Sequence, residues 1–188
     1  GHAGRWDYGE SCEKPIDRSD VSSVFAGLRP LVKVGGTQNT AALSRDHTIL
    51  VSESGLLSII GGKWTTYRKM AKDAVDRSIV LGGLPAVKCM TGKLRLHGYD
   101  PQITYGDPLS VYGTDAKKIL QLMTDNPDLQ ESIHPDYPYT KAEVMWSVRN
   151  EMALQAEDIL ARRSRLLYLD ARAALQAAPG VVSLMAKE

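Results

Sequence analysis

The sequence predicts an α+β protein: a short β-sheet region with one long helix, followed by a small all-α domain. Three observations carry this. Two apolar runs, His47–Val51 (HTILV) and Leu56–Ile60 (LLSII), flank the turn-forming Ser52–Gly55 (SESG), which is the pattern of a hairpin. At Tyr67 the apolar period changes: Tyr67, Met70, Ala71, Ala74, Val75, Ser78 and Ile79 recur at helical spacing, with Arg68, Lys69, Lys72, Asp73, Asp76 and Arg77 on the other face. From about residue 110 the chain is helical in character, punctuated by Pro127, Pro135, Pro138 and Pro179.

Residues 1–20 are polar and without period. Val21–Val34 (VSSVFAGLRPLVKV) is rich in β-branched residues and predicts a strand that ends or bulges near Arg29, between Gly27 and Pro30. Gly35–Thr40 reads as a loop. The long helix stops at Gly82 and Gly83, the residues a helix C-terminus prefers. A linker through Pro85 leads to a short strand candidate at Lys93–His97 (KLRLH). Helices are then predicted over Thr114–Met123, Thr140–Met152, Ala156–Arg163 and Leu166–Ala178, and Thr140 with Glu143 forms a capping box. Met145, Trp146 and Met152, at helical spacing, are expected in the core. The expected domains are 1–83, a linker 84–109 and a helical domain 110–188. The last residues, Val181–Glu188 (VVSLMAKE), carry no stop signal, so the sequence reads as a piece of a longer protein.

With 188 residues, 43% hydrophobic and 24% charged, at a net charge of +1, the chain has the composition of an ordinary globular protein. Nothing in its charge points to nucleic acid. Cys12 and Cys89 are expected to be reduced, and the scattered histidines lack metal-ligand spacing, so no metal is expected. There is no membrane-spanning apolar run and no signal-peptide pattern, which predicts a cytoplasmic protein.

The chemistry concentrates where the second apolar run meets the long helix, in the stretch 58–76. There Gly61 and Gly62 remove side chains, so a planar ligand can lie against the backbone. Lys63 adds a point charge, and Thr65 and Thr66 hydroxyls that cap the helix or bond a ligand. The helix N-terminus stabilises negative charge. Such a turn also occurs in α/β proteins that hold no ligand there. Arg29 and Arg45 are suited to bidentate grip on phosphate or carboxylate, and with Lys63 they would form a receptor for a phosphorylated substrate if the three converge. The plainer reading is a surface Arg29 and an Arg45 paired with Asp46. His47 is a base candidate or a structural histidine. The run Ala161–Arg165 (ARRSR) is either an anion contact or a solvated face paired with Glu151, Glu157, Asp158 and Asp170.

Phe25–Leu31 (FAGLRPL), Ser44–Asp46 (SRD), Leu57–Ala71 (LSIIGGKWTTYRKMA) and the Tyr139–Leu167 segment, in this order, resemble the C-terminal part of the FAD-dependent glycerol-3-phosphate dehydrogenases. The resemblance implies that the first part is a remnant of an FAD/substrate domain. It implies oxidation of sn-glycerol 3-phosphate to dihydroxyacetone phosphate with FAD as hydride acceptor and quinone as electron acceptor, contact with the inner face of the cell membrane, and a homodimer as one assembly. It assigns Arg29, Arg45 and Lys63 to substrate binding, Arg45 and Lys63 to catalysis, and Gly61, Gly62, Lys63, Trp64 and Thr65 to the cofactor. Trp64 stands where other members often carry leucine. The family's GxGxxG turn, which seats the FAD pyrophosphate, is absent from these residues, so the chain alone is expected to be inactive. Two other readings stay open: a non-catalytic helical module that binds a partner protein or an anionic membrane surface, and an unrelated anion-binding domain using the same turn.

Overall fold

A computed structural model describes residues 17–28, 47–104 and 106–188. These fall into two units: one holds 47–96 with 27–28, the other 97–188 with 17–26.

The first unit is a hairpin and a helix. β1 (His47–Val51) pairs antiparallel with β2 (Leu57–Gly61), His47 opposite Gly61 and Val51 opposite Leu57. The predicted turn closes it: Ser52 N–H donates to Leu56 O at 2.9 Å and Gly55 N–H to Ser52 O at 3.0 Å, with Gly55 at φ 84°. A 3₁₀ turn at Trp64–Thr66 leads into α1 (Tyr67–Leu81), which ends as expected at Gly82, whose N–H donates to Ser78 O. No described residue of this unit is buried. Leu50, Ile59 and Ile60 on the hairpin and Tyr67 and Val75 on the helix are all exposed. The amphipathic stripe therefore exists without a core of its own.

The second unit has the core. After a 3₁₀ segment, Pro108–Asp115, come α2 (Ala116–Asp125), a hairpin of β3 (Ser132–His134) and β4 (Tyr137–Thr140), α3 (Lys141–Asn150), a π-helical turn (Asp158–Arg163), α4 (Leu166–Leu169) and α5 (Ala171–Met185). Residues 142–147 of α3 are buried without a break, the mark of a central helix. Ala142, Met145 and Trp146 pack toward Ile119 of α2, and Val144 packs toward Leu166 and the Ala173, Ala174, Ala177 and Val181 face of α5.

Several expectations need correction. Residues 21–28 form no strand; Ser22 and Ser23 bond the helical unit instead, where Ser22 O accepts from Ala171 N–H at 3.0 Å and Ser23 Oγ donates to Leu167 O at 2.7 Å. The rest of that run and the Gly35–Thr40 loop lie outside the described residues. Lys93–His97 has no strand partner among the described residues and is irregular, with a turn at Gly98. The segment Leu166–Ala178 is two helices. Asp170 breaks it, with extended backbone (φ −152°, ψ 103°) and a carboxylate that accepts the N–H groups of Arg172 and Ala173. Pro179 does not stop α5: it and Leu175 lie on the exposed side, where water can take the Leu175 carbonyl that the proline leaves without an N–H. Met152 is 82% exposed because α3 ends at Asn150. The helical part also contains the β3–β4 hairpin.

The capping box forms as expected. Thr140 N–H donates to Glu143 Oε2 at 2.6 Å and Glu143 N–H to Thr140 Oγ1 at 3.4 Å, while Tyr112 Oη donates to Glu143 Oε1 at 3.2 Å. Burial raises the Glu143 carboxyl above its ordinary range and raises the Tyr112 phenol further. A carboxyl raised in the folded state stabilises it at low pH and loses that contribution as pH rises through the raised value. Glu143→Gln keeps an acceptor for the cap and removes the buried charge. We expect it to be more stable than the parent by about 1 kcal/mol at pH 7, with the difference disappearing below about pH 4. Thermal melts of both proteins from pH 4 to 8 check this; a variant less stable at pH 7 would show that the charged cap outweighs the burial cost.

Candidate functional site

The Gly-Gly turn sits at the β2–α1 junction. Gly61 (φ 80°) and Gly62 (φ 78°) both hold left-handed backbone, which favours glycine. Gly62 has a second, internal reason to lack a side chain: a Cβ there would stand 2.4 Å from Met70 Sδ and 3.3 Å from His47 Cβ. The close approach it permits is that of α1 to β1. Lys63 is extended (φ −135°, ψ 151°). Its N–H donates to Thr66 Oγ1 at 3.2 Å, and the Thr66 hydroxyl donates back to Lys63 O at 3.0 Å. Thr66 thus closes the turn.

That leaves Lys63, Trp64 and Thr65 facing outward. All three are exposed, Trp64 by 88%, its ring 6.0 Å from Tyr67. Lys63 makes no salt bridge among the described residues. The Trp64 and Thr65 amides belong to the first turn, where N–H groups lack helical partners. One exposed turn therefore presents an ammonium, an indole face, a hydroxyl and backbone donors. This donor set fits the polar, electron-rich edge of a flat cofactor, and it covers one side only. Arg29 and Arg45 lie outside the described residues, so of the three predicted cations Lys63 alone has a place here.

His47 Nε2 lies 3.0 Å from Asp73 Oδ2, and its side chain is nearly buried. Asp73 also takes Lys69 Nζ at 2.5 Å; Lys69 first, and His47 with it, holds the Asp73 carboxyl below its usual range. The pair ties β1 to α1, which is the structural role. In the ARRSR run Arg162 pairs with Glu157 and Asp158, each at 2.9 Å, and Arg163 with Glu151 at 3.0 Å. These are the carboxylates of the solvated-face reading. Asp170 instead caps α5.

Two cavities correspond to no single sequence motif. One, of 570 Å³, lies between α1 (Tyr67, Ala71, Val75, Ile79) and the 87–96 segment (Val87, Cys89, Met90, Leu94, Leu96). Its signal in the sequence is the α1 stripe together with the Leu94 and Leu96 alternation. A hydrogen bond with Thr91 lowers the Cys89 thiol. The other, of 240 Å³, is a polar cleft of the helical unit where Lys118 bonds Asp115 at 2.9 Å and lies 5.6 Å from the Trp146 ring centroid. His97 also bonds Asp115.

Residues 56–188 match the family described as the C-terminal domain of alpha-glycerophosphate oxidase. The chain belongs to this family. The matched residues include the whole Gly61–Thr65 turn and the helical unit from His97 onward. Similar proteins extend the likeness upstream. One named a probable mitochondrial glycerol-3-phosphate dehydrogenase, of Caenorhabditis elegans, is 39% identical over 92% of this chain. Mitochondrial glycerol-3-phosphate dehydrogenases of Mesocricetus auratus and Arabidopsis thaliana are 36% and 34% identical, over 95% and 92% of the chain. The chain spans 27% of the length of the first two and 32% of the third. Because these relatives are named mitochondrial, the expectation of a cytoplasmic protein on the inner face of the cell membrane is overturned. It rested on missing targeting signals, and a chain that spans so little of its relatives is a poor place to look for them.

Proposed function

We propose that the chain is the C-terminal part of a mitochondrial flavoenzyme that oxidises sn-glycerol 3-phosphate to dihydroxyacetone phosphate, with quinone as electron acceptor. What carries the reading is that an exposed Lys63–Thr65 turn, whose ammonium and whose Trp64 and Thr65 amides have no partner among the described residues, lies inside the stretch that matches the family. The relatives' names support the substrate and the location. In this reading residues 1–83 are, along the chain, the end of the FAD/substrate-binding domain, although their 17–26 segment packs with the helical unit, 84–109 are the linker and 110–188 the helical domain, and a homodimer is the assembly.

FAD, when bound, supplies the two-electron oxidation. The chain's own residues bind and orient. Gly61 and Gly62 let the turn reach Lys63 without a side chain in the way, and Thr66 locks it. Lys63 and the first-turn amides offset negative charge at the cofactor's polar edge, and Thr65 offers a hydroxyl. Trp64 supplies a flat apolar cover. Arg29 grips the substrate phosphate, and Arg45 with Lys63 faces the substrate hydroxyls. The turn is half of a site, and the other half comes from upstream sequence.

The test is Lys63→Ala in the protein extended upstream to the length of its relatives. We expect kcat or the flavin retained after purification to fall about tenfold, read from turnover and from visible absorbance. A variant with both intact would remove Lys63 from the site.

A further inference from the structure

The 570 Å³ cavity of the first unit is an open trough with two apolar walls, Ala71 and Val75 from α1 and Val87, Met90, Leu94 and Leu96 from the segment that follows it. Val75 and the four side chains opposite are all exposed, Met90 by 80%. The trough also has a spare cation at its edge. Lys72 is bonded to Asp76 at 2.5 Å, whereas Arg68, one turn earlier, has no hydrogen bond or ion pair among the described residues. A contiguous apolar surface of this kind, edged by an unpaired guanidinium, is the mark of a surface that something covers.

No described residue of this unit is buried, so α1 and the hairpin lack the packing that gives an amphipathic helix most of its stability. The family that matches from residue 56 is a C-terminal domain, and the chain spans 27% of two of its relatives, so most of such a protein lies upstream. A cover joined through the same polypeptide acts at a far higher effective concentration than a separate protein. We propose that the trough between α1 and residues 87–96 is the docking seat of the upstream part of the same polypeptide, which lays apolar side chains against Val75 and Leu94 and an acceptor oxygen against Arg68. The proposal rests on the reading that this chain is part of a longer flavoenzyme. It gives α1 a second task beside carrying the Lys63–Thr65 turn at its start: its stripe clamps the two parts of the enzyme together.

Cys89 stands in the wall of the trough, half-buried, and its bond with Thr91 favours the reactive thiolate, so it reports on the cover. The experiment compares iodoacetamide labelling of Cys89, read by peptide mass spectrometry, in the 188-residue chain and in the flavin-loaded protein extended upstream to the length of its relatives. Cys89 should label readily in the shorter chain and on the order of 100-fold more slowly in the extended protein, at a rate independent of protein concentration. Val75→Asp in the extended protein should bring labelling back about tenfold or more, while Val75→Ile stays protected; if Val75→Asp does not fold, the comparison of the two parent proteins decides. Equal labelling of the two overturns the proposal, because fast labelling of both means an open trough and slow labelling of both means a cover within the 188 residues. Protection that fades on dilution overturns it as well, since the cover is then a second copy. In each of these cases an extended protein that is active and holds flavin leaves the proposed function standing, whereas one that is inactive and free of flavin brings down that reading and this proposal with it.

Discussion

Gly113→Ala should cost the helical unit about 3 kcal/mol and lower its melting temperature by roughly 12–24 °C. Gly113 holds φ 54° and ψ −126°, a backbone region that side-chain-bearing residues avoid. A Cβ there would stand 1.7 Å from the Gly98 carbonyl oxygen and 2.7 Å from its carbon. Neither atom is the end of a flexible side chain, so the backbone itself must move. That movement would break the Thr114 N–H bond to Gly98 O, at 3.1 Å, and disturb the neighbouring contact of His97 with Asp115. The control is Gly180→Ala on α5, where nothing lies within 4 Å of the added carbon and the backbone is helical. There alanine should raise stability by up to about 1 kcal/mol. Thermal denaturation of the 188-residue chain measures both; equal melting temperatures for Gly113→Ala and the parent would mean that the 98–113 contact does not hold the unit together.

In the extended enzyme, Arg29→Ala should raise KM for glycerol 3-phosphate about 10- to 100-fold, the loss expected when a charge-assisted, two-pronged bond to phosphate is removed. Arg29→Lys should recover part of it, because an ammonium keeps the charge and loses the fork. Steady-state kinetics at constant ionic strength separate the cases. An unchanged KM in Arg29→Ala would take the phosphate away from this residue.

The hairpin and α1 are legible in the sequence because each signal is local. The SESG turn and the period change at Tyr67 need no knowledge of the rest of the chain. The Thr140–Glu143 cap is legible for the same reason. What fails depends on partners. Residues 21–28 have strand composition, yet Ser22 and Ser23 satisfy a helix break more than a hundred residues away, and Lys93–His97 has no strand to pair with among the described residues. The β3–β4 hairpin is hidden because Pro135 and Pro138 read as punctuation between helices, whereas Pro135 sits in the turn and Pro138 within β4. Pro179 misleads in the same way: a proline on the wet side of a helix need not end it.

At the site, the turn's chemistry is legible and its economy is not. In sequence the pair Gly61 and Gly62 reads as room for a ligand, whereas Met70 and His47 already press against Gly62. Thr65 and Thr66 look equivalent in sequence, and only the hydrogen bonds of Thr66 to Lys63 separate the locking residue from the exposed one. The absence of any buried residue among those described in the first unit has no local signature at all, since burial depends on what else packs there.

The central claim is that this chain carries half of a flavin and substrate site. The most direct measurement is glycerol-3-phosphate oxidation with an artificial electron acceptor and added FAD, comparing the 188-residue chain with the protein extended upstream to the length of its relatives. Activity with bound flavin in the extended protein, and none in the shorter chain, is the predicted result. An extended protein that is folded, inactive and free of flavin would contradict it.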